Sequence, residues 1–248
     1  MINQRKTFCV LAGLAISLAL ATAGLAKDTS NQVAKRQSLA LIVMDPLAKE
    51  LACACVRRFA QRNYHTLATH LSREICERLT VRFSEDLVNA IPELDPGHEA
   101  IVVAKHSVVT HDADAAGFKY RSLCRLTGED GSTTLTGYFV AKMNDPAMRI
   151  ADLASRRVLF GSANADEKYS AALTALKAAG VPVPKTIETR AACSDAGMDI
   201  VDSQESPPPV GVIFSFALAL LEGCETIKKG DLKVIGHTVP VPFVTVFC

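Results

Sequence analysis

Residues 209–247 read PVGVIFSFALALLEGCETIKKGDLKVIGHTVPVPFVTVF. Val210 to Ser215 is an unbroken apolar run of strand length, the kind that is covered on both faces. A helical segment follows, then a second strand at Leu232 to His237. From Thr238 to Phe247 the chain stays extended through Pro240 and Pro242. Strand, helix, strand and a further extended return predict an α/β lobe whose chain crosses into another lobe near its end. Architectures of that kind close on a ligand held between the lobes.

Working back from this tail, Ser206-Pro207-Pro208-Pro209 is a rigid spacer. Ala165 to Gly180 is the cleanest amphipathic helix, with Tyr169, Ala172, Leu173, Leu176 and Ala179 on one face and Gly180 as its stop. Arg157 to Gly161 predicts the strand that feeds it. Lys185 to Glu188 is a weak strand, Ala191 to Ile200 a weak helix, and Ile150 to Ala154 a short helical turn. Arg121 to Thr127 and Thr133 to Lys142 flank Glu129-Asp130-Gly131-Ser132, which is hairpin chemistry. Ala100 to Lys105 predicts a buried parallel strand, and Ser84-Glu85-Asp86 starts a helix over Leu87 to Ile91. The opening unit is a strand at Ser38 to Met44, a long broken helix through Leu47 to Ile75, and a strand at Leu79 to Phe83. Strands alternating with helices across short connections define an α/β class with largely parallel sheets.

The first 26 residues carry Arg5 and Lys6, the apolar run Phe8 to Ala23, and Gly24-Leu25-Ala26 with small residues where a signal peptidase reads them. They form a secretory leader, which predicts a soluble, exported, periplasmic protein. Removing 26 of the 248 residues leaves 222, enough for two lobes. Without Arg5 and Lys6, the 27 Lys and Arg fall to 25 against 26 acids, a net charge of about −1 that argues for no nucleic-acid partner. Seven cysteines remain: Cys53, Cys55, Cys76, Cys124, Cys193, Cys224 and Cys248. Export makes disulfides the default, and an odd number leaves one thiol over. Cys53 and Cys55 sit two apart on a predicted helix, about 200° around its axis, so they do not bridge each other. A metal reading would add His65 or His70, but no CxxC or HExxH is present.

A strand, a Gly-Ser loop and a helix start at Arg157 to Gly180 offer backbone N–H groups and a helix dipole to an anion. The structural alternative is that Asn164 caps the helix, with Glu167 completing a capping box. Asp166 and Glu167 suit the dipole yet repel a doubly charged oxyanion. His98, His106 and His111 gather near the end of the Ala100–Lys105 strand. Lys105, His106 and Ser107 stand where ligands of open α/β sheets collect, beyond the carboxyl ends of strands. There is no GxSxG, GxxxxGK or GxGxxG, so nothing supports catalysis or a cofactor.

Three blocks carry a family resemblance: FAQRNYHTLATHL (59–71), IADLASRRVLFGSANADEKYSAALTALKAAGV (150–181), and VGVIFSFALALLEG (210–223) with GDLKVIGHTVPVPFVTVF (230–247). In these blocks the chain resembles the phosphate/phosphonate-type, PhnD-like substrate-binding proteins of ABC transporters. The resemblance implies the two-lobed type 2 periplasmic-binding-protein architecture, with mixed, largely parallel sheets and a hinge of crossing strands. Lobe 1 would be 27–135 with 239–248, and lobe 2 would be 136–238. By position, Ser162, Asn164 and Tyr169 fall where the family touches an oxyanion. Lys105 and Ser107 face the cleft from the first lobe, Tyr138 lies on the first crossing strand, and Ser215 ends the late strand. The family loop is rich in Ser and Thr, whereas here it reads Ser162-Ala163-Asn164-Ala165-Asp166. Members continue past the second crossing strand with a further helix or two, whereas this chain stops at Cys248, which implies a shortened C-terminus or a trimmed first lobe. The implied protein is monomeric, non-enzymatic and free of cofactors, capturing a small polar oxyanion for a membrane permease. The alternative is a periplasmic sensor or accessory protein for a metalloid, metal or oxyanion, acting on a membrane kinase or redox enzyme.

Overall fold

The computed structural model describes residues 39–52, 62–94, 100–128 and 130–248. The readings made on the leader, on Cys53, Cys55 and Phe59, and on His98 lie outside the described residues.

Two five-stranded sheets organise the chain. The first runs β2 (Leu79–Phe83), β1 (Leu39–Met44), β3 (Ala100–Lys105), β12 (Val244–Phe247) and β4 (Ser122–Arg125). Strand β1 is parallel to both β2 and β3, and β12 is antiparallel to β3 and β4. The second sheet runs β10 (Leu232–His237), β6 (Gly137–Lys142), β9 (Val210–Phe214), β7 (Val158–Phe160) and β8 (Glu188–Thr189). There β7 is parallel to β8 and β9, while β6 is antiparallel to β9 and β10. Each sheet is thus mixed, and the late strand β12 lands in the middle of the first sheet.

The central strands of both sheets are covered on both faces, and side-chain alternation sorts the core. In the second sheet Phe139, Phe160 and Val212 pack with Ala172 and Leu176 of α4 (Ser170–Ala178). Their neighbours Val140, Leu159 and Ile213 pack instead with α5 (Cys193–Asp202) and α6 (Ala217–Gly223). In the first sheet Leu41 and Val43 join Tyr64 and Ala68 of α1 (Tyr64–Glu74), while Ile42 and Met44 join Leu87 of α2 (Leu87–Ala90) and Val109 of α3 (His106–Ala116). Asn63 caps α1 by accepting from Thr66 N at 3.1 Å, and Asp86 caps α2 by accepting from Asn89 N at 2.7 Å.

Three local expectations change. Arg121–Thr127 and Thr133–Lys142 do not form a hairpin with each other. The turn between them closes, with Gly128 N donating to Ser132 O at 2.7 Å, but β4 pairs with β12 and β6 pairs with β9 and β10. Turn chemistry is local and cannot name a partner strand that lies more than a hundred residues further on. His106 and His111, placed near the end of β3, lie on α3, a helix not expected there from sequence. That helix is built from a Val-Val-Thr run of low helix propensity and is stabilised by burying Val109 and Ala113, with Gly117 at φ 73° ending it. The predicted helix at Ala165 begins only at Ser170. Its N-cap is Tyr169, with no side-chain cap, so Asn164 and Glu167 form no capping box.

The chain passes between the sheets twice, through 126–136 and 238–243. A short antiparallel ladder between β5 (Thr134–Leu135) and β11 (Val241–Pro242) joins the two passages. Beside it Gly137 N donates to Thr238 Oγ1 and Thr238 N donates to Gly137 O, both at 2.8 Å. A Cβ on Gly137 would stand 2.0 Å from the main-chain oxygen of Glu167. Because that obstacle is backbone, Gly137→Ala is expected to lower the unfolding free energy by about 1–3 kcal/mol in denaturant titration. Gly223→Ala is its control: a Cβ there meets nothing within 4 Å at the end of α6, so the substitution leaves stability unchanged or raises it by up to about 1 kcal/mol.

Candidate functional site

The carboxyl ends of strands from both sheets converge on one cavity of about 280 Å³. Pro46 and Leu47 follow β1, Lys105 ends β3, and Leu135 and Phe243 come from the two crossings. From the second sheet come Glu167 and Lys168 after β7, Ala191 to Ser194 after β8, and Phe214 to Ala217 at the end of β9. This is the crevice where open α/β sheets bind ligands.

Most of the lining is apolar, and three aromatic rings stand together in it. Phe216 lies 4.4 Å from Phe214 and 6.1 Å from Phe243 between ring centroids. The wall at Pro46–Leu47 is held by Asp45, which is fully buried. Asp45 accepts from Leu47 N at 2.9 Å, from Arg62 Nη1 at 2.9 Å and from the Tyr64 hydroxyl at 2.6 Å. Burial, then the Asp45 carboxylate, pushes the Tyr64 phenol far above its ordinary range, so it stays a donor.

Against this apolar frame stand three charged groups. Lys105 Nζ lies 2.7 Å from Glu167 Oε1, an ion pair that joins the end of β3 in the first sheet to the loop after β7 in the second. Glu167 is 0% exposed, and its other oxygen, Oε2, meets no hydrogen-bond donor among the described residues. Burial lowers the Lys105 ammonium below the usual lysine value, and the Glu167 carboxylate opposes that shift. Lys168 is buried too. Its Nζ reaches Ala191 O at 3.3 Å and Cys193 Sγ at 3.8 Å, and it lies 5.9 Å from the Phe214 ring centre. Gly161 makes room for it, since a Cβ there would meet the Lys168 side chain at 2.5 Å. Burial raises the Cys193 thiol, so in this setting it is not a ready thiolate.

Of the residues expected from sequence, Lys105 lines the cavity. Ser107 and Asn164 meet each other, the Ser107 hydroxyl donating to Asn164 O at 2.8 Å as a second tie between the sheets. Ser162 accepts from Ala165 N through its carbonyl in the turn that leads to Glu167. Tyr169 packs edge-on against Phe160 in the second sheet's core. Tyr138 sits in the β6 ladder opposite Ile213 and His237, and Ser215 N donates to Thr136 O. Glu167, Lys168, Cys193 and the three phenylalanines are the residues that sequence reasoning did not select. The one available signal was the Asp166-Glu167 pair, whose conflict with a dianion was legible. Cys76, Cys124, Cys193 and Cys248 carry free thiols, contrary to the disulfide expectation for these four. Among the described residues no three His, Cys, Asp or Glu side chains stand close enough to hold a metal ion, and no described helix is long and apolar enough to cross a membrane.

Residues 58–248 match the sequence profile of the family described as ABC transporter, phosphonate, periplasmic substrate-binding protein. The chain belongs to this family. Its members bind small ligands, work with ABC-transporter permeases and perform no chemical step. No protein of curated function matches the sequence. Among solved structures, the chain is similar to the binding protein component of an ABC phosphonate transporter from Pseudomonas aeruginosa. The identity is 12% and the TM-score 0.57, over 85% of this chain and 68% of that one. It is also similar to PhnD1 from Prochlorococcus marinus in complex with methylphosphonate, with 12% identity and TM-score 0.57 over 86% and 77%. The periplasmic aliphatic sulphonate binding protein SsuA from Escherichia coli follows, with 14% identity and TM-score 0.52 over 86% and 61%. At these identities the likeness is one of fold, and that fold is the two-lobed periplasmic-binding-protein architecture.

Removing one partner of the buried pair strands the other's charge. Lys105→Met is expected to cost about 3 kcal/mol in chemical denaturation, and the double variant Lys105→Met with Glu167→Leu to recover most of it. A second expectation concerns pH. Burial, with Arg125 nearby, holds His106 below its ordinary value, against a smaller opposing effect of Asp166. As pH falls, the unfolded chain takes up that proton first, so stability is lost below the unfolded value of about 6.5. The fall in Tm between about pH 6.5 and pH 5 should therefore be shallower in His106→Gln than in the parent protein.

Proposed function

We propose that this family member is an exported solute-binding protein that captures a small phosphonate-like oxyanion between two lobes and presents it to an ABC-importer permease. The observation that carries the reading is the pair of buried ammonium groups, Lys105 and Lys168, in a largely apolar cavity lined from both sheets. A charge held out of water acts on an anion far more strongly than one at the surface. The aromatic and aliphatic lining suits an organic substituent on that anion. On this reading residues 1–26 are the leader that takes the chain to the periplasm, 27–135 with 239–248 form one lobe, and 136–238 form the other. The lobes close by bending at the two crossings, where few residues absorb the motion. Ser107, Ser162 and Asn164 act at the cleft edge, positioning the loop that carries Glu167 and Lys168. Tyr138, Tyr169 and Ser215 support that frame.

Thermal-shift and calorimetric titration of the purified protein with phosphate, phosphite, methylphosphonate, longer alkylphosphonates and alkanesulfonates tests the reading. At least one of these anions should stabilise the fold, by about 2.7 kcal/mol when present at 100 times its dissociation constant. Failure of every one at millimolar concentration would remove the oxyanion function.

A further inference from the structure

The ion pair at the cleft leaves one demand unmet. Glu167 is wholly buried and lines the cavity. One carboxylate oxygen is bound by Lys105, and the other, Oε2, has no donor among the described residues. A buried carboxylate oxygen without a donor is costly, more so than a neutral acceptor. Either the fold bears that cost permanently or the molecule that enters the cavity supplies the donor.

Charge points to the second case. Among the described residues the charged side chains lining the cavity are Lys105, Lys168 and Glu167, which together leave one net positive charge. A singly charged anion balances it, whereas a dianion would bring excess negative charge beside Glu167. A fully deprotonated oxyanion also has acceptors only, and it would set its oxygens against Oε2. A singly protonated oxyanion meets both conditions, and in a family of phosphonate-binding proteins R–PO3H−, with one negative charge and one O–H, is the form that does so. We propose that Glu167 is the specificity-determining residue of this cleft, its Oε2 accepting a hydrogen bond from the acidic hydroxyl of a monoprotonated phosphonate-type anion. The cleft thereby rejects sulfonates of the same shape, which carry the same charge but no donor. The inference rests on the oxyanion reading above and adds to it the protonation state recognised and the residue that recognises it.

The remaining groups fit these roles. Lys168 supplies the positive charge that is not already paired with Glu167. Lys105 holds Oε1 and so fixes which oxygen is left for the ligand. Phe214, Phe216 and Phe243 make the lining apolar, and in such a surround a missing donor is expensive. A site built to hydrogen-bond a ligand hydroxyl discriminates strongly against an analogue that lacks it, because the site's own buried group is then left unpaired.

Calorimetric titration with methylphosphonate and with methanesulfonate, at pH values below and above the second ionisation of methylphosphonate, decides the matter. The parent protein should prefer methylphosphonate by about tenfold or more at the lower pH and lose affinity for it as the monoanion disappears. Titratable groups facing Glu167 are Lys105 from β3, Lys168 beside it in the loop after β7, and Cys193 from α5. Methanesulfonate keeps one charge across this range, so any titration of those groups would appear in its affinity too and can be subtracted. In Glu167→Gln the carboxamide offers an N–H, so preference between the two anions should shrink or reverse. Equal or tighter binding of methanesulfonate by the parent protein at the lower pH overturns the inference while leaving the oxyanion function standing. So does a preference unchanged in Glu167→Gln that unfolds at the parent's denaturant midpoint. Absence of binding by both anions rejects the oxyanion function and this inference with it. The comparison within the parent protein stands even if the variant folds poorly.

Discussion

Where the chain leaves one sheet for the other, its backbone has only the two-residue β5–β11 ladder to join, and the other buried N–H and C=O groups must find partners elsewhere. The reciprocal bonds between Gly137 and Thr238 meet that need at the point where the two passages lie side by side. Thr238 supplies a side-chain acceptor just past the end of β10. Gly137 supplies room, since the main chain at Glu167 passes where a side chain would stand. The same contact that lets the chain cross therefore sets the position of the loop carrying Glu167 and Lys168. The sheet order follows from it, as β6 begins and β10 ends at this pair.

The cleft inherits its electrostatics from this placement. Lys105 projects from the last residue of β3, and Glu167 meets it from the opposite sheet across an apolar gap. Desolvating two such ions nearly cancels their attraction, so the pair is poor evidence of stability. Its consequence is orientation. With Lys105 occupied by one carboxylate oxygen, Lys168 is the buried ammonium not paired with Glu167, and Oε2 is the carboxylate oxygen without a donor among the described residues. Three phenylalanines, one of them from the second crossing, make the surround of these groups largely apolar.

The central strands β1, β3 and β9 were legible because they are near-continuous buried apolar runs. β1, β3, β9 and β10 lie within a residue of where periodicity places them. Helix α3 escaped because its Val-Val-Thr core favours extended backbone locally, and only packing of Val109 and Ala113 under the first sheet outweighs that preference. The false hairpin at Gly128–Ser132 has the opposite origin: the turn is real, but strand pairing is decided by β12 and β9, far along the chain. In the site, Lys105 was within reach because strand ends are where α/β clefts form. Glu167 looked like a helix cap because its spacing from Asn164 suits one. The late start of α4 turns it inward instead.

By itself the sequence determined the class of the fold, the return crossing announced by the run from Val210 to Phe247, and the family in which the chain belongs. These properties rest on periodicity, turn chemistry and motif order, all of which act between near neighbours in the chain. Tertiary structure alone decided which side chains share the cavity. Lys105, Glu167, Lys168 and Phe243 are brought together by the packing of two sheets and the closure of two crossings. Those are long-range contacts with no local signature. The role of a carboxylate as a helix cap or as a buried acceptor facing a ligand is settled there, by what surrounds it.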